Sequence, residues 1–414
     1  MGEIAVPELL LDCLGRKSQE EVQMSLEQMN TAKWQQLLEH SRQYGVAPLL
    51  YSILEPLFPQ INIPPQITEQ LRNIYLKSAG RNTMLYNQLE KLLTVFNKNN
   101  VPVILLKGAY LAEEAYGNIA LRPMQDIDLL IRKEDVSRAY EILTDLGYSP
   151  VKPIHEEFDI SQHHHIPQFV GSGKIPVEIH WNISSPLGPF KIDPEDLWRK
   201  AVKKNVCAQN ISVLCTEDLL LHIIVHLSYH DIFEASLLSF YDIKVILEKF
   251  GADIEWKNLI QSADHWGIAK CFYLSLILAQ KILGVSVPEE ILAEFKPDDY
   301  TPKILAMAEE QLFRRNFTGY DISHGFAQAW EAERTEEKII LLLKRFFPSR
   351  QELATKYPAQ PWSLRIYLYY PVRIKDLLFR YGRGFLGLLK KDEQVKSLVV
   401  YRKKAEELRQ WMTT

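Results

Sequence analysis

A pair of aspartates, Asp126 and Asp128, opens an apolar run and constrains the fold of this chain more than any other feature. The other residues from 127 to 131 are all isoleucine or leucine, which predicts a buried strand. Side chains two positions apart in a strand project from the same face, so the two carboxylates are expected to lie together. Such a pair repels unless a cation lies between the carboxylates or one is protonated. The pattern therefore predicts a Mg²⁺ site, because Mg²⁺ usually takes one or two carboxylates together with substrate phosphates.

The segments around the pair predict an α/β unit. Residues 101–106 are apolar and rich in β-branched side chains, and Lys107 and Gly108 follow them; this is typical of a buried strand that ends in a turn. Gly171 and Gly173 separate two further apolar segments, which is a hairpin signal. The elements expected are strands over 101–106 and 126–132, helices over 110–116 and from 134 or 135 to 147, and strands over 163–170 and 174–181.

Apolar residues recur at helical spacing before and after this unit. We therefore expect an α/β (α+β) fold in which a mixed-sheet core is flanked by helical N- and C-terminal regions. The expected domains are a helical region over 1–98, the core over 99–215, a helical domain over 216–345, and a basic, aromatic, helical tail over 346–414.

Composition argues against several classes of protein. The chain has 414 residues and a net charge of −4, which argues against broad electrostatic binding of nucleic acid. Its four cysteines lack the CxxC spacing of a metal site, so they are interpreted as reduced thiols of a cytoplasmic protein. No secretory signal is recognised at the N-terminus, and no apolar run is long enough to span a membrane.

Three motifs resemble a known family. Lys107-Gly108, followed by residues 122–130 (RPMQDIDLL), resembles the LKG…RxMxDxDLL signature of the uncharacterised nucleotidyltransferase family. That family belongs to the DNA-polymerase-β-like nucleotidyltransferase superfamily. Residues 176–181 (PVEIHW) resemble its VELHW-like strand, and residues 220–246, which contain Tyr241-Asp242-Ile243, resemble its downstream helical pair. The usual glycine–serine pair of the superfamily is replaced here by Lys107-Gly108.

The resemblance implies an enzyme and its site. Glu178 would join Asp126 and Asp128 as the third carboxylate, and the three would be both the catalytic residues and the ligands of two Mg²⁺ or Mn²⁺ ions. Two such ions can activate the attacking hydroxyl and neutralise the departing pyrophosphate. The implied reaction transfers a nucleoside monophosphate from an NTP to a hydroxyl or phosphate acceptor, which belongs to a small molecule, a sugar or a protein.

Three residues are implied to hold the phosphates of the NTP. Lys107 would take the place of the superfamily's serine as a point charge with three donors. Gly108 would let the backbone approach a phosphate closely. Arg122 would contact the triphosphate, or would instead lock the aspartate loop through a bidentate bond to a carboxylate.

Two other functions remain open. The first is a catalytically weak nucleotide-binding or protein-interaction module on the same fold. The second is a helical phosphohydrolase with a metal site at His226, His230 and Asp231, because His222, His226 and His230 recur every four residues. Single residues with open roles are Arg81, Asn82, His165, His180 and Asp242. The basic, aromatic segment 365–391 either packs on the core or lies on an anionic membrane.

Overall fold

The computed structural model describes residues 6–151, 163–234, 237–313, 336, 340, 343–344, 346–354, 357–389 and 392–414. These residues fall into two compact units. The first consists mainly of the described residues within Met1–Pro153 and Ile160–Tyr300, and the second of those within Thr301–Met412. The division into four domains expected from the sequence stays a prediction.

The first unit contains a mixed sheet. Its described strands are β1 (Ile104–Leu105), β2 (Ile127–Leu130), β3 (Ser149–Pro150), β4 (Phe169–Val170), β5 (Val177–His180), β6 (Val202–Val206) and β7 (Gln209–Val213). They lie side by side in the order β3-β4-β5-β2-β1-β7-β6. Strand β2 runs antiparallel to β1 and parallel to β5. This mixed sheet within a largely helical chain confirms the expected fold class.

The first unit also contains many helices. They are α1 (Val6–Leu11), α2 (Gln19–Glu27), α3 (Thr31–Gln43), α4 (Ala47–Leu54), α5 (Pro65–Lys98), α6 (Lys107–Glu114), α7 (Val136–Asp145), α8 (Pro194–Lys200), α9 (Thr216–Val225), α10 (Leu237–Phe250), α11 (Trp256–Trp266), α12 (Ala269–Leu283) and α13 (Glu289–Phe295). Short 3₁₀ turns cover Glu55–Leu57, Lys133–Asp135 and Gly251–Asp253, and π-helical turns cover Asp12–Arg16 and His226–His230.

The second unit is helical where it is described. It contains α14 (Pro302–Leu312), α15 (Arg350–Ala354), a 3₁₀ turn at Leu364–Leu368, α16 (Tyr369–Leu389) and α17 (Glu393–Thr413). Leu353, Ala359 and Ile366 form a small buried core in this unit. Among the helices of the described residues, none is both long and apolar enough to cross a membrane.

The apolar residues around the aspartates form the buried core of the sheet. Ile127, Leu129 and Leu130 in β2 are buried, as are Val177 and Ile179 in β5. These residues lie on strands that have a neighbour on each side, so β-branched and leucine side chains can fill both faces of the sheet. The glycine turn at 171–173 joins β4 to β5, and the two strands pair antiparallel, as the hairpin signal predicts.

Several local features differ from the sequence-based expectation, among them the strand expected over 163–170, which forms only at Phe169–Val170. The helix expected over 110–116 begins at Lys107, because the extended residue Leu106 is its N-cap; the presumed glycine turn is therefore the first turn of α6. The hairpin of β6 and β7 was not predicted. Its turn consists of Cys207 and Ala208, with φ of 51° and 57°, where such turns usually contain Asn-Gly.

Candidate active site

Asp128 and Glu178 lie directly opposite each other on neighbouring strands. The parallel register of β2 and β5 pairs Asp128 with Glu178 and Leu130 with His180. Because side chains alternate across a sheet, Glu178 and His180 project from the same face as Asp128. Ligand atoms of Asp128, Glu178 and His180 all lie within 4.8 Å of one another. The sheet thus brings two of the three predicted metal ligands together and adds an imidazole.

His180 bridges these two carboxylates. Its Nε2 lies 3.3 Å from Asp128 Oδ1 and 3.5 Å from Glu178 Oε2. Burial by itself would lower the pKa of His180, but the hydrogen bonds to Asp128 and Glu178 outweigh burial and raise it. In return, the hydrogen bond from His180 lowers the pKa of Glu178 against the effect of burial. The two carboxylates therefore favour the protonated form of His180, which carries positive charge between them.

Asp126 joins the cluster through an amide. The Gln168 side chain donates from Nε2 to Asp126 Oδ2 at 3.4 Å and to Glu178 Oε1 at 3.1 Å. Burial and the neighbouring charges of Asp128 and Glu178 raise the pKa of Asp126 to about 6. Asp126 thus neighbours the Asp128–Glu178 pair, but it is outside the group of side chains whose ligand atoms all lie within 4.8 Å of one another. Gln168 was missed from the sequence, where no pattern distinguishes this glutamine from others.

Lys107 lies at the beginning of α6 and faces the same carboxylates. Its Nζ is 3.5 Å from Asp128 Oδ2. Burial would raise the pKa of Asp128, but the positive charges of Lys107 and His180 lower it well below its usual range. The structure therefore places this predicted phosphate-binding residue beside the predicted metal ligands.

Gly108 permits a close approach of the aspartate loop to α6. A Cβ atom at this position would lie 2.9 Å from Arg122 Nη1 and 3.3 Å from Met124 Sδ. The first distance is shorter than real Cβ contacts allow, and the Arg122 guanidinium cannot move away freely because Asp242 holds it. The close approach that the sequence predicts at Gly108 thus involves the protein's own loop.

Arg122 is held by Asp242, which lies on α10. Its Nε and Nη2 donate to the two oxygens of Asp242 at 2.8 and 2.7 Å. The hydroxyl of Tyr116 donates to the same carboxylate at 2.7 Å. The bidentate bond is the locking geometry named as the alternative role of Arg122. The predicted contact of Arg122 with phosphate stays a prediction.

Two residues of α5 hold the same loop by its backbone. Arg81 donates to the carbonyl oxygens of Met124 and Gln125 at 2.8 and 2.7 Å. Asn82 donates to the carbonyl oxygen of Arg122 at 2.8 Å. The loop that leads to Asp126 is thus fixed by side chains from helices distant in sequence.

A group of histidines continues from His180. The ring centroid of His180 lies 5.3 Å from that of His165 and 6.0 Å from that of His164, which in turn stacks on His230 at 6.0 Å. Burial, together with neighbouring imidazoles, lowers the pKa of His164 to about 3, so this ring is neutral near pH 7. These rings form a group of imidazoles beside Asp128 and Glu178.

The helical histidines do not form a second metal centre in the described structure. His226 Nδ1 lies 3.1 Å from Asp231 Oδ2, and among the described residues no further His, Cys, Asp or Glu side chain completes a group with metal-ligand spacing there. Among the described residues, Asp128, Glu178 and His180 are the group of His, Cys, Asp or Glu side chains with metal-ligand spacing. This geometry does not support the phosphohydrolase hypothesis.

Comparisons with known proteins place this site in context. No curated protein matches the chain significantly. The chain is similar to the lincosamide antibiotic adenylyltransferase LnuA, solved with lincomycin bound, at 18% identity and a TM-score of 0.28, with 39% of this chain and 94% of that chain covered. It is also similar to the antibiotic-resistance factor ANT(2'')-Ia, at 12% identity and a TM-score of 0.32, with 44% and 91% covered. These low scores carry no information about the acceptor.

A family model gives the stronger comparison. The model described as "Uncharacterised nucleotidyltransferase" matches residues 30–284. This range contains the whole sheet, the carboxylate cluster and Asp242, and it covers more than half of the chain. The chain therefore belongs to the uncharacterised nucleotidyltransferase family.

Proposed function

We propose that the protein transfers a nucleoside monophosphate from an NTP to a hydroxyl or phosphate acceptor, with Asp126, Asp128 and Glu178 as the ligands of Mg²⁺ or Mn²⁺. Membership of the family supports nucleotidyl transfer as the reaction class. The observation that carries the finer proposal is the direct pairing of Asp128 with Glu178 across two parallel strands.

The donor set fits a hard divalent cation. Oxygen ligands such as the carboxylates of Asp126, Asp128 and Glu178 are those that suit Mg²⁺ and Mn²⁺. Burial, followed by the charges of Asp128 and Glu178, raises the pKa of Asp126 to about 6, so a bound cation would favour the ionised form of this carboxylate. When bound there, divalent ions would neutralise the triphosphate and lower the pKa of the attacking hydroxyl.

The side chains of the chain itself position the reacting groups. Lys107, at the N-terminus of α6, would contribute a positive charge for the phosphates beside the metal ligands. Gln168 orients Asp126 and Glu178 by donating to both. Arg122 and Arg81 hold the loop that carries Asp126, so that the carboxylates need not reorganise during the reaction.

The NTP is proposed as the donor substrate, and the cytoplasm as the compartment of the reaction. The described cysteines Cys13, Cys207, Cys215 and Cys271 are free thiols, as is usual in a reducing compartment. The acceptor is a small molecule, a sugar or a protein side chain that carries a hydroxyl or phosphate group.

Calorimetry with NTP analogues that cannot be cleaved between the α- and β-phosphorus tests the proposal. Each analogue is titrated with Mg²⁺ or Mn²⁺ into the wild type, into Asp126→Asn/Asp128→Asn, and into Asp264→Asn as a matched change at an exposed position of α11. We expect metal-dependent binding that the double variant loses and the control keeps.

Two results would contradict the assignment. Equal binding by the double variant would mean that Asp126 and Asp128 do not bind the metal. Absence of binding for every nucleotide, by a protein shown to be folded, would favour the module without catalytic activity.

A further inference from the structure

The second unit exposes a stripe of apolar side chains. Leu368, Val372 and Phe379 are separated by four and seven positions, so they lie on one face of α16 and its preceding turn. Leu368 is 70% and Phe379 is 92% exposed. Leu364 and Trp362, just before the stripe, are 84% and 78% exposed. We call these five residues the apolar stripe.

The apolar stripe is not needed to hold the second unit together. The same segment buries other side chains: Ile366 belongs to the core with Leu353 and Ala359, and Leu377 is buried as well. A helix with one apolar face in the core normally carries polar residues on the opposite face. Here a second apolar surface faces solvent, and such patches usually mark an interaction site.

Basic residues accompany the apolar stripe. Between positions 361 and 381 the chain has four basic residues and one acidic residue, although its net charge is −4. Arg365, Lys375 and Arg380 are exposed. The acidic residue, Asp376, accepts a hydrogen bond of 2.9 Å from the Tyr357 hydroxyl. The surface around the stripe is therefore positive on a protein that is negative as a whole.

We propose that the apolar stripe and its basic neighbours form a docking surface for an anionic lipid bilayer. Side chains as exposed as Phe379 and Leu364 protrude from the surface, so they can enter the boundary between headgroups and acyl chains without a preformed pocket. Trp, Phe and Leu beside Lys and Arg are typical of segments that lie in the plane of a membrane interface. Lys375, on the same face as Val372 and Phe379, can extend its ammonium group to the lipid phosphates.

Flotation with lipid vesicles tests this surface in the full-length protein. Vesicles of phosphatidylcholine are compared with vesicles that contain about 30% phosphatidylglycerol. We expect binding to the anionic vesicles alone, and a loss of binding as salt is raised, because salt screens the basic side chains. Leu368→Gln/Phe379→Gln should reduce the bound fraction by at least about fivefold. Leu187→Gln, at a position that is 72% exposed in the first unit, should leave binding unchanged.

Three results would overturn the proposal. The first is absence of binding to anionic vesicles by a folded protein, and the second is equal binding by wild type and Leu368→Gln/Phe379→Gln. The third is a dimer in light scattering that this double variant abolishes while vesicles bind neither protein, which would assign the stripe to a second copy of the chain. Calorimetric binding of NTP analogues is measured on the same variants, so failure here is distinguishable from failure of the proposed function.

Discussion

Arg122 and Asp242 form a bidentate ion pair across 120 positions of sequence. The two N–H···O distances are 2.8 and 2.7 Å, and the side chains are only 12% and 2% exposed. Arg122 begins the loop that ends at Asp126, whereas Asp242 lies on α10. The pair therefore fixes the position of the loop with the candidate metal ligands relative to a helix far along the chain.

Asp242→Asn is expected to destabilise the protein and to weaken metal-dependent nucleotide binding. The substitution leaves the Arg122 guanidinium buried without its counterion, and breaking a buried pair on one side costs about 3–5 kcal/mol. Urea unfolding measures the free energy of unfolding, and calorimetry with an NTP analogue measures binding. An unchanged free energy of unfolding would show that Arg122 finds another partner.

A double-mutant cycle separates the two roles considered for Arg122. Arg122→Met/Asp242→Leu is expected to recover much of the stability lost in either single variant, because no unpaired charge remains. If Arg122 only positions the loop, the two single variants weaken nucleotide binding by similar factors. A much larger loss for Arg122→Met, measured at a concentration where all variants are folded, would instead indicate direct contact with phosphate.

Lys107→Gln is expected to weaken binding of the metal–NTP complex by about tenfold or more, because it removes a charged donor beside Asp128. Lys107 Nζ lies 3.5 Å from Asp128 Oδ2. The loss of its charge therefore also raises the pKa of Asp128. Calorimetry with an NTP analogue gives the affinity. Lys203→Gln, a matched change at an exposed position of β6, should leave the affinity as it is. Equal affinities for all three proteins would mean that Lys107 does not bind the phosphates of the NTP.

Asp126→Asn is expected to stabilise the metal-free protein near neutral pH. In the folded protein, burial and the charges of Asp128 and Glu178 raise the Asp126 pKa from 3.8 to about 6. Between these values the folded state binds more protons than the unfolded state, so stability falls as pH rises through this window. The variant lacks this carboxylate and avoids that loss, which we expect to be on the order of 1–2 kcal/mol after solvent screening.

Thermal unfolding in a chelator, at about pH 4 and about pH 7.5, measures this effect. The melting temperature of Asp126→Asn should exceed that of the wild type mainly at the higher pH. Excess Mg²⁺ should reverse the order, because a ligand of the folded state stabilises only the protein that binds it. Asp264→Asn should follow the wild type throughout. A variant that is less stable in chelator at the higher pH would contradict the crowding of the three carboxylates.

The position of the carboxylates could be predicted because it depends on short-range rules. Alternation along the strand expected over 126–132 predicts Asp126 and Asp128 on one side, and the resemblance to the family adds Glu178; the observed β2 begins at Ile127, just after Asp126. The parallel register of Asp128 with Glu178 is then a consequence of two buried strands lying side by side. Their roles as metal ligands stay predictions.

Other features could not be predicted because they depend on contacts between distant segments. Nothing local marks Gln168 as the donor shared by Asp126 and Glu178. Nothing local pairs Arg122 with Asp242 either, since from the sequence each side chain could equally contact a ligand or face solvent. The β6–β7 hairpin was missed because Cys207 and Ala208 adopt positive φ without the glycine or asparagine that usually indicates such a turn.

Metal binding is expected to release protons, and His180 to supply part of them. Its pKa is raised because its hydrogen bonds to Asp128 and Glu178 outweigh burial. A cation bound to these carboxylates neutralises the negative charge that favours the protonated imidazole. His180 must also lose its proton if it binds the metal itself.

Titration of Mn²⁺ at about pH 6.5 in two buffers with different ionisation enthalpies counts these protons. The wild type should release more protons than His180→Gln, and the difference should shrink as the pH is raised, because imidazole loses its proton at high pH with or without the metal. His265→Gln, at an exposed position of α11, should release as many as the wild type. Metal binding without proton release by the wild type would mean that the cation does not displace the His180 proton, and that it binds away from the Asp128–Glu178 pair.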